Sequence, residues 1–227
     1  MQFSFDYFPY TAVIGDIKDS KHSKDRRAVQ VRLGQVLDGI NHQYQAELAS
    51  KFMITLGDEF QGLLKTGSAV ISIIDQIERE MYPVRIRFGI GVGKITTNIN
   101  FDLPLGADGP AYYNARAMIT ELKAFEKKKM ESKNNVQISI QDYADCSEMM
   151  NTIFSLLEVV KEEWTFRQVE IMNAYLRSGT QAAAAEILGI NQSNVQKALA
   201  ASNFYTYRKA LEFISKMLAG VRRDEDV

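Results

Sequence analysis

One change in patterning constrains the fold of this chain more than any other. Before Asp142, apolar strand-like runs alternate with amphipathic stretches; after it, no strand-like alternation occurs and every segment has helical spacing. A chain of 227 residues built this way is one mixed domain followed by a small all-helical one.

The first part can be followed run by run. "YTAVIGDIKDS" is an apolar strand ending at Asp16. "DRRAVQVRLGQVLDGINHQYQAEL" then places Val29, Leu33, Val36, Leu37, Ile40, Tyr44 and Leu48 on one helical face. "KFMITLGDEFQGLLK" is two apolar strands joined at Gly57, and "SAVISIIDQIEREM" is a short helix stopping before Pro83. In "VRIRFGIGVGKITT", Val84, Ile86, Phe88 and Ile90 alternate, which predicts a strand buried on one face only. "AYYNARAMITELKAFEKKK" is a further helix and "VQISI" a further strand. The resulting order, β-α-β-β-α-β-α-β, suits a split βαβ core with helices on an antiparallel or mixed sheet.

In the second part, "DCSE" (Asp145 to Glu148) and "TFRQ" (Thr165 to Gln168) have the form of capping boxes and predict two helix starts. A helix over 147–164 would carry Ile153, Leu156, Leu157 and Val160 on one apolar face. "TQAAAAEILGINQSNVQKALAAS" predicts a helix from Thr180, a break at Gly189 and a second helix capped by Asn191, the helix-turn-helix arrangement. Ala184 and Ala185 permit close helix contact, and Leu188, Ile190, Val195 and Leu199 supply the core. Gln192, Ser193, Asn194, Gln196 and Lys197 then face outward, with groups suited to base edges and phosphates in a major groove. Residues 164 to 223 carry eight Lys or Arg and three acidic groups, net +5. The plainer reading of this segment is a helical bundle used for packing or assembly.

Charge and cysteine usage exclude some classes. A net charge of −1 rules out a generally basic nucleic-acid binder. Cys146 is the single cysteine, so no internal disulfide forms and a reducing compartment is expected. No apolar run approaches the roughly 20 residues of a spanning helix, and "MQFSFDYFPY" lacks the basic lead of a signal peptide. The expectation is a soluble cytoplasmic protein with no membrane partner.

Asp16 ends the first strand and Asp58 tips the hairpin, with Glu59 beside it. The two aspartates either cap turns or hold Mg²⁺ or Mn²⁺, hard cations that prefer oxygen ligands. Lys18, Ser20, Lys21, Lys24, Arg26 and Arg27 cluster around the next helix start, where cations and backbone N–H groups favour a polyphosphate. "GIGVGKIT" is not a phosphate loop: the required glycine five residues before Gly93 is Phe88, and Ile95 stands where Ser or Thr is needed. Its glycines instead thin a strand against a packed helix or partner subunit.

Over residues 10 to 140, "VIGDIKDS", "ITLGDEF", "VRIRFGIGVG" and "GADGPAYYNARAMI" resemble, in order, the class III nucleotidyl cyclase catalytic domain. The whole layout, a cyclase-like half and then a helix-turn-helix, resembles the SatD family of bacterial proteins. The resemblance implies an α+β fold: a ferredoxin-like, nucleotidyl-cyclase-like βαββαβ domain over 1–144, then a helical linker and helix-turn-helix domain over 145–227. It also implies metal ligation by Asp16, the Ile17 carbonyl, Asp58 and Glu59, with catalytic roles for Arg116 and Asn114. The purine-reading Lys of cyclases is Ile54 here, and four residues before Arg116 stands Tyr112, with Asn114 out of step. That pattern suits a nucleotide sensor, a homodimer whose helix-turn-helix binds duplex DNA and regulates transcription. The rivals are an active cyclase or nucleotidyltransferase of divergent base specificity and a degenerate protein-interaction scaffold.

Overall fold

The computed structural model describes residues 3–19, 25–128 and 134–221. Its first eight elements are β1 (Tyr10–Ile17), α1 (Arg26–Gln43), β2 (Leu48–Leu56), β3 (Glu59–Leu64), α2 (Val70–Met81), β4 (Ile86–Gly93), α3 (Pro110–Lys128) and β5 (Val136–Ile140). The order is the one the periodicities predict. Helices α4 (Ala144–Glu162), α5 (Phe166–Ser178), α6 (Gln181–Leu188), α7 (Gln192–Ala201) and α8 (Phe204–Leu218) follow. The fold is α+β.

The chain divides into two compact units: one runs to Ser155 and resumes at Ile214, the other is Leu156–Phe213. The cut falls inside α4 rather than at 144/145, and the end of α8 belongs with the first unit. No helix among the described residues is long and apolar enough to cross a membrane.

In the first unit one five-stranded sheet runs in the order β2-β3-β1-β4-β5, antiparallel except for the parallel pair β4-β5. Helix α3 lies on one face, where Ala111, Tyr112, Ala115 and Ile119 pack against Ala12, Ile14 and Leu63. Strand β4 corrects the half-buried expectation: all eight of its residues are buried. It is an inner strand, between β1 and β5, and burial of residues of both parities means that both of its faces are covered. The face carrying Arg87, Gly89, Gly91 and Gly93 lies under α3. A run of glycines mimics the polar half of an alternating strand, because neither presents an apolar side chain.

Both outer strands have their exposed backbone matched by an asparagine from a neighbouring helix. Asn41 of α1 donates to the Phe52 carbonyl at 2.8 Å and accepts from the Phe52 N–H at 2.7 Å. Asn151 of α4 does the same for Ile138, at 2.9 and 2.8 Å. Unpaired edge backbone is a template for aggregation, and these side chains remove it. Ser147 adds a third link, accepting from the Ile140 N–H at 2.9 Å. That role displaces the expected cap: α4 begins at Ala144, so Asp145 is already helical. On α4, Met150, Phe154 and Leu157 are buried, whereas Leu156, expected on the apolar face, is 63% exposed.

In the second unit, Thr165 and Gln168 form the expected capping box, Thr180 caps α6 through the Ala183 N–H, and Asn191 occupies the α7 cap position. Gly189 ends α6 in the left-handed conformation (φ 62°), which residues with a Cβ adopt only with strain. Its N–H and that of Ile190 return to carbonyls of α6. Ala184, Ala185, Val195 and Leu199 are buried with Ile171, Met172, Ala174 and Phe204. Leu188 and Ile190 pack on the edge of this core.

Candidate functional site

Strand register brings the first unit's charged residues together. Asp16 stands opposite Glu59 on β3 and opposite Arg87 on β4. It has the parity of Ala12 and Ile14, so it shares their α3 face. There Arg87 Nη1 donates to Asp16 Oδ2 at 2.5 Å, and Lys123 Nζ of α3 donates to Asp16 Oδ1 at 2.7 Å. The other Arg87 arm donates to Glu126, whose second oxygen pairs with Lys18. Arg116 grips Glu59 through two hydrogen bonds, one of them 2.7 Å long. Asp16 is 5% exposed and Arg87 8%.

Three carboxylates, Asp16, Glu59 and Glu126, face four cations, Arg87, Lys123, Arg116 and Lys18, so every carboxylate of the cluster has an opposite charge on it. Burial alone would lower the Arg87 pKa, but hydrogen bonds and charge from Glu126 and Asp16 raise it above its ordinary value. The Glu59 hydrogen bond raises Arg116 likewise. Burial pushes the Glu126 carboxyl upward, and the bonds and charges of Arg87 and Lys18 outweigh it, leaving the pKa below its ordinary value.

Asp58 lies elsewhere. Its carbonyl accepts from the Ile17 N–H at 3.1 Å, and it lines a cleft of about 350 Å³ with Ile17, Lys18, Arg26, Gln30 and Arg85. Asp16 therefore turns toward α3 while Asp58 sits beside α1. The residues do not fit a divalent cation in this arrangement. Both Asp16 oxygens accept from in-chain cations, and both Glu59 oxygens accept from Arg116. Among the described residues no group of three or more His, Cys, Asp or Glu is placed to hold a metal. A titration of the native chain with Mn²⁺ is accordingly expected to show no saturable heat. Saturable binding that Asp16→Asn abolishes would overturn this.

The remaining expected residues are placed as follows. Asn114 donates to the Val92 carbonyl at 3.0 Å, so its amide is committed to strand β4. Tyr112 is buried, its hydroxyl has no partner among the described residues, and that burial raises its pKa. Lys18 reaches the cluster and the cleft, whereas Ser20, Lys21 and Lys24 lie outside the described residues. Gln192, Ser193, Asn194, Gln196 and Lys197 are all exposed on α7. The expected charge excess does not sit on their unit: Leu156–Phe213 holds six basic and six acidic residues. Arg87, Lys123 and Glu126 were not expected at the site. The alternation of Arg87 with Ile86 and Phe88 reads as solvent-facing, and nothing local pairs it with residues 71 and 39 positions away.

Comparison with solved structures finds cyclase domains. A bacterial light-regulated adenylyl cyclase is 13% identical with a TM-score of 0.42, covering 58% of this chain and 76% of that one. The adenylyl cyclase CyaB from P. aeruginosa is 15% identical with a TM-score of 0.39, covering 60% and 89%. The non-canonical dimeric guanylyl cyclase domain of the RhoGC fusion protein from the aquatic fungus Blastocladiella emersonii is 18% identical, with a TM-score of 0.35 and coverage of 50% and 75%. A search of curated proteins finds no match. Among family profiles, that of the SatD family matches residues 10–218, from the first residue of β1 to the last of α8. The chain belongs to the SatD family.

Proposed function

We propose that this chain is a regulatory protein that binds duplex DNA through α7 and takes a phosphorylated ligand, a nucleotide by the cyclase resemblance, in its first unit. The observation that carries the reading is the two-sided character of α7. Val195 and Leu199 are fully buried, while Gln192, Ser193, Asn194, Gln196 and Lys197 are exposed. Amide, hydroxyl and ammonium groups on the second helix of such a unit are suited to base edges and phosphates.

The neutral charge of the second unit bears on the form binding takes. Counterion release supplies most non-specific affinity, and a neutral unit has little of it. Affinity is therefore modest and favours recognition by side-chain hydrogen bonds. Pairing of two chains on repeated half-sites offsets the modest affinity of each.

For the ligand, support comes from the cleft beside Asp58. Lys18, Arg26 and Arg85 line it against Asp19 and Asp58, a small basic excess close to the start of α1, where first-turn N–H groups favour anions. Mg²⁺ or Mn²⁺ has no part in this reading. Nor does turnover, since Arg116 is held by Glu59 and Asn114 by Val92.

The test is a mobility shift with a randomised duplex pool at low salt, followed by sequencing of the retained fraction. Lys197→Glu is expected to weaken all binding and to flatten its salt dependence. Asn194→Ala is expected to cost about 1–3 kcal/mol of discrimination while leaving non-specific binding in place. No retained DNA at low salt would sink the DNA reading and leave the second unit as an assembly module.

A further inference from the structure

We propose a second ligand site in the first unit, on the β5 side of α3, for a donor-rich organic cation such as an alkylamine or guanidinium compound. It goes beyond the reading above and does not depend on it. A groove of about 780 Å³ opens here, floored by β5 and walled by α3 and the first turns of α4. The α4 wall is held at fixed spacing, because Asn151 and Ser147 are hydrogen-bonded to the β5 backbone.

Two observations define the ligand. First, Gln137 on the floor is 6% exposed, and its Oε1 has no hydrogen-bond partner among the described residues. The Oε1 of Gln141, four residues on and just past the end of β5, is likewise buried with no partner among the described residues. Buried polar atoms are nearly always paired, and each exception asks for an explanation. Both atoms are acceptors, so what they lack is a donor. Second, Glu121, Asp142 and Glu148 line the groove, and among the described residues no Lys, Arg or His does. An anion would meet three like charges there, whereas an ammonium or guanidinium supplies N–H donors to the amide oxygens and positive charge to the carboxylates. The cleft beside Asp58 differs in carrying three basic residues, Lys18, Arg26 and Arg85, against Asp19 and Asp58.

The full-length chain titrated calorimetrically with spermidine and with agmatine tests this, with citrate as the anionic control. At least one amine is expected to bind saturably, one per chain, and an excess of citrate is expected not to displace it. Gln137→Leu, which keeps the volume and removes the amide, is expected to weaken binding by about tenfold or more. Glu121→Gln, at an exposed position, is expected to weaken it as well and decides the matter should Gln137→Leu fail to fold. Arg26→Ala, in the anion cleft, is expected to leave amine binding unchanged. The proposal is overturned if neither amine binds, or if binding is undiminished in folded Gln137→Leu or, failing that variant, in Glu121→Gln.

Discussion

Gly91→Val is expected to prevent stable folding of the first unit. A Cβ at Gly91 would lie 2.1 Å from the Ala111 carbonyl oxygen and 2.3 Å from the Ala115 nitrogen. These are backbone atoms of α3, which no rotamer change can move aside. The helix would have to lift from β4, and with it the contacts of Ala111, Ala115 and Ile119 on Ala12, Ile14 and Leu63. Overpacking costs about 1–3 kcal/mol where side chains can yield, and more where they cannot. Against a total stability of about 5–15 kcal/mol, a loss above roughly 3 kcal/mol is large. Urea denaturation followed by circular dichroism measures it. Gly34→Ala is the control: beyond its own turn of helix no atom of the described residues lies within 4 Å of its Cβ, and the change is expected to stabilise α1 by about 0.5–1 kcal/mol. A Gly91→Val midpoint equal to that of the native chain would show that α3 does not sit on β4 as described.

Arg87→Met is expected to cost about 3 kcal/mol. The change leaves Asp16, 5% exposed, with Lys123 as its remaining partner among the described residues, and Glu126 with Lys18. Removing one member of a buried pair is strongly destabilising because an uncompensated charge stays behind. Lys123 and Lys18 offset part of this, which places the expected loss at the lower end of the usual range of about 3–5 kcal/mol.

The same cluster sets an acid-side dependence. The folded pKa of Glu126 lies below its ordinary 4.5, so its contribution is fully present above that value. It is lost as pH falls through the lower folded value. Urea midpoints for the native chain and Glu126→Gln should therefore differ at pH 7 and converge on acidification. Arg87→Met should narrow the difference at pH 7, since it removes a bond that lowers Glu126. A gap that is constant with pH would dissociate Glu126 from the cluster.

These two positions also mark where local sequence stops being informative. The order of strands and helices follows from periodicity, a property of neighbours a few residues apart. For the same reason Thr165, Gln168, Thr180 and Gly189 could be assigned to caps and breaks in advance: each acts on backbone groups within its own turn. The SatD layout was legible from short motifs in sequence order, and the family match covers the same span.

What depends on contacts between distant residues was not legible. Asp16 pairs across 71 residues with Arg87 and across 107 with Lys123, and no periodicity encodes either. The motif order alone pairs Asp16 with Asp58 as metal ligands. Strand parity sends the first toward α3, and the hairpin tip holds the second beside α1. The alternation in β4 reflected glycines yielding room to a helix, which only the position of α3 reveals. Local chemistry fixes what each segment becomes, because its hydrogen bonds close within a few residues. Which side chains meet is decided by sheet order and register, because those bring together residues that the chain itself keeps far apart.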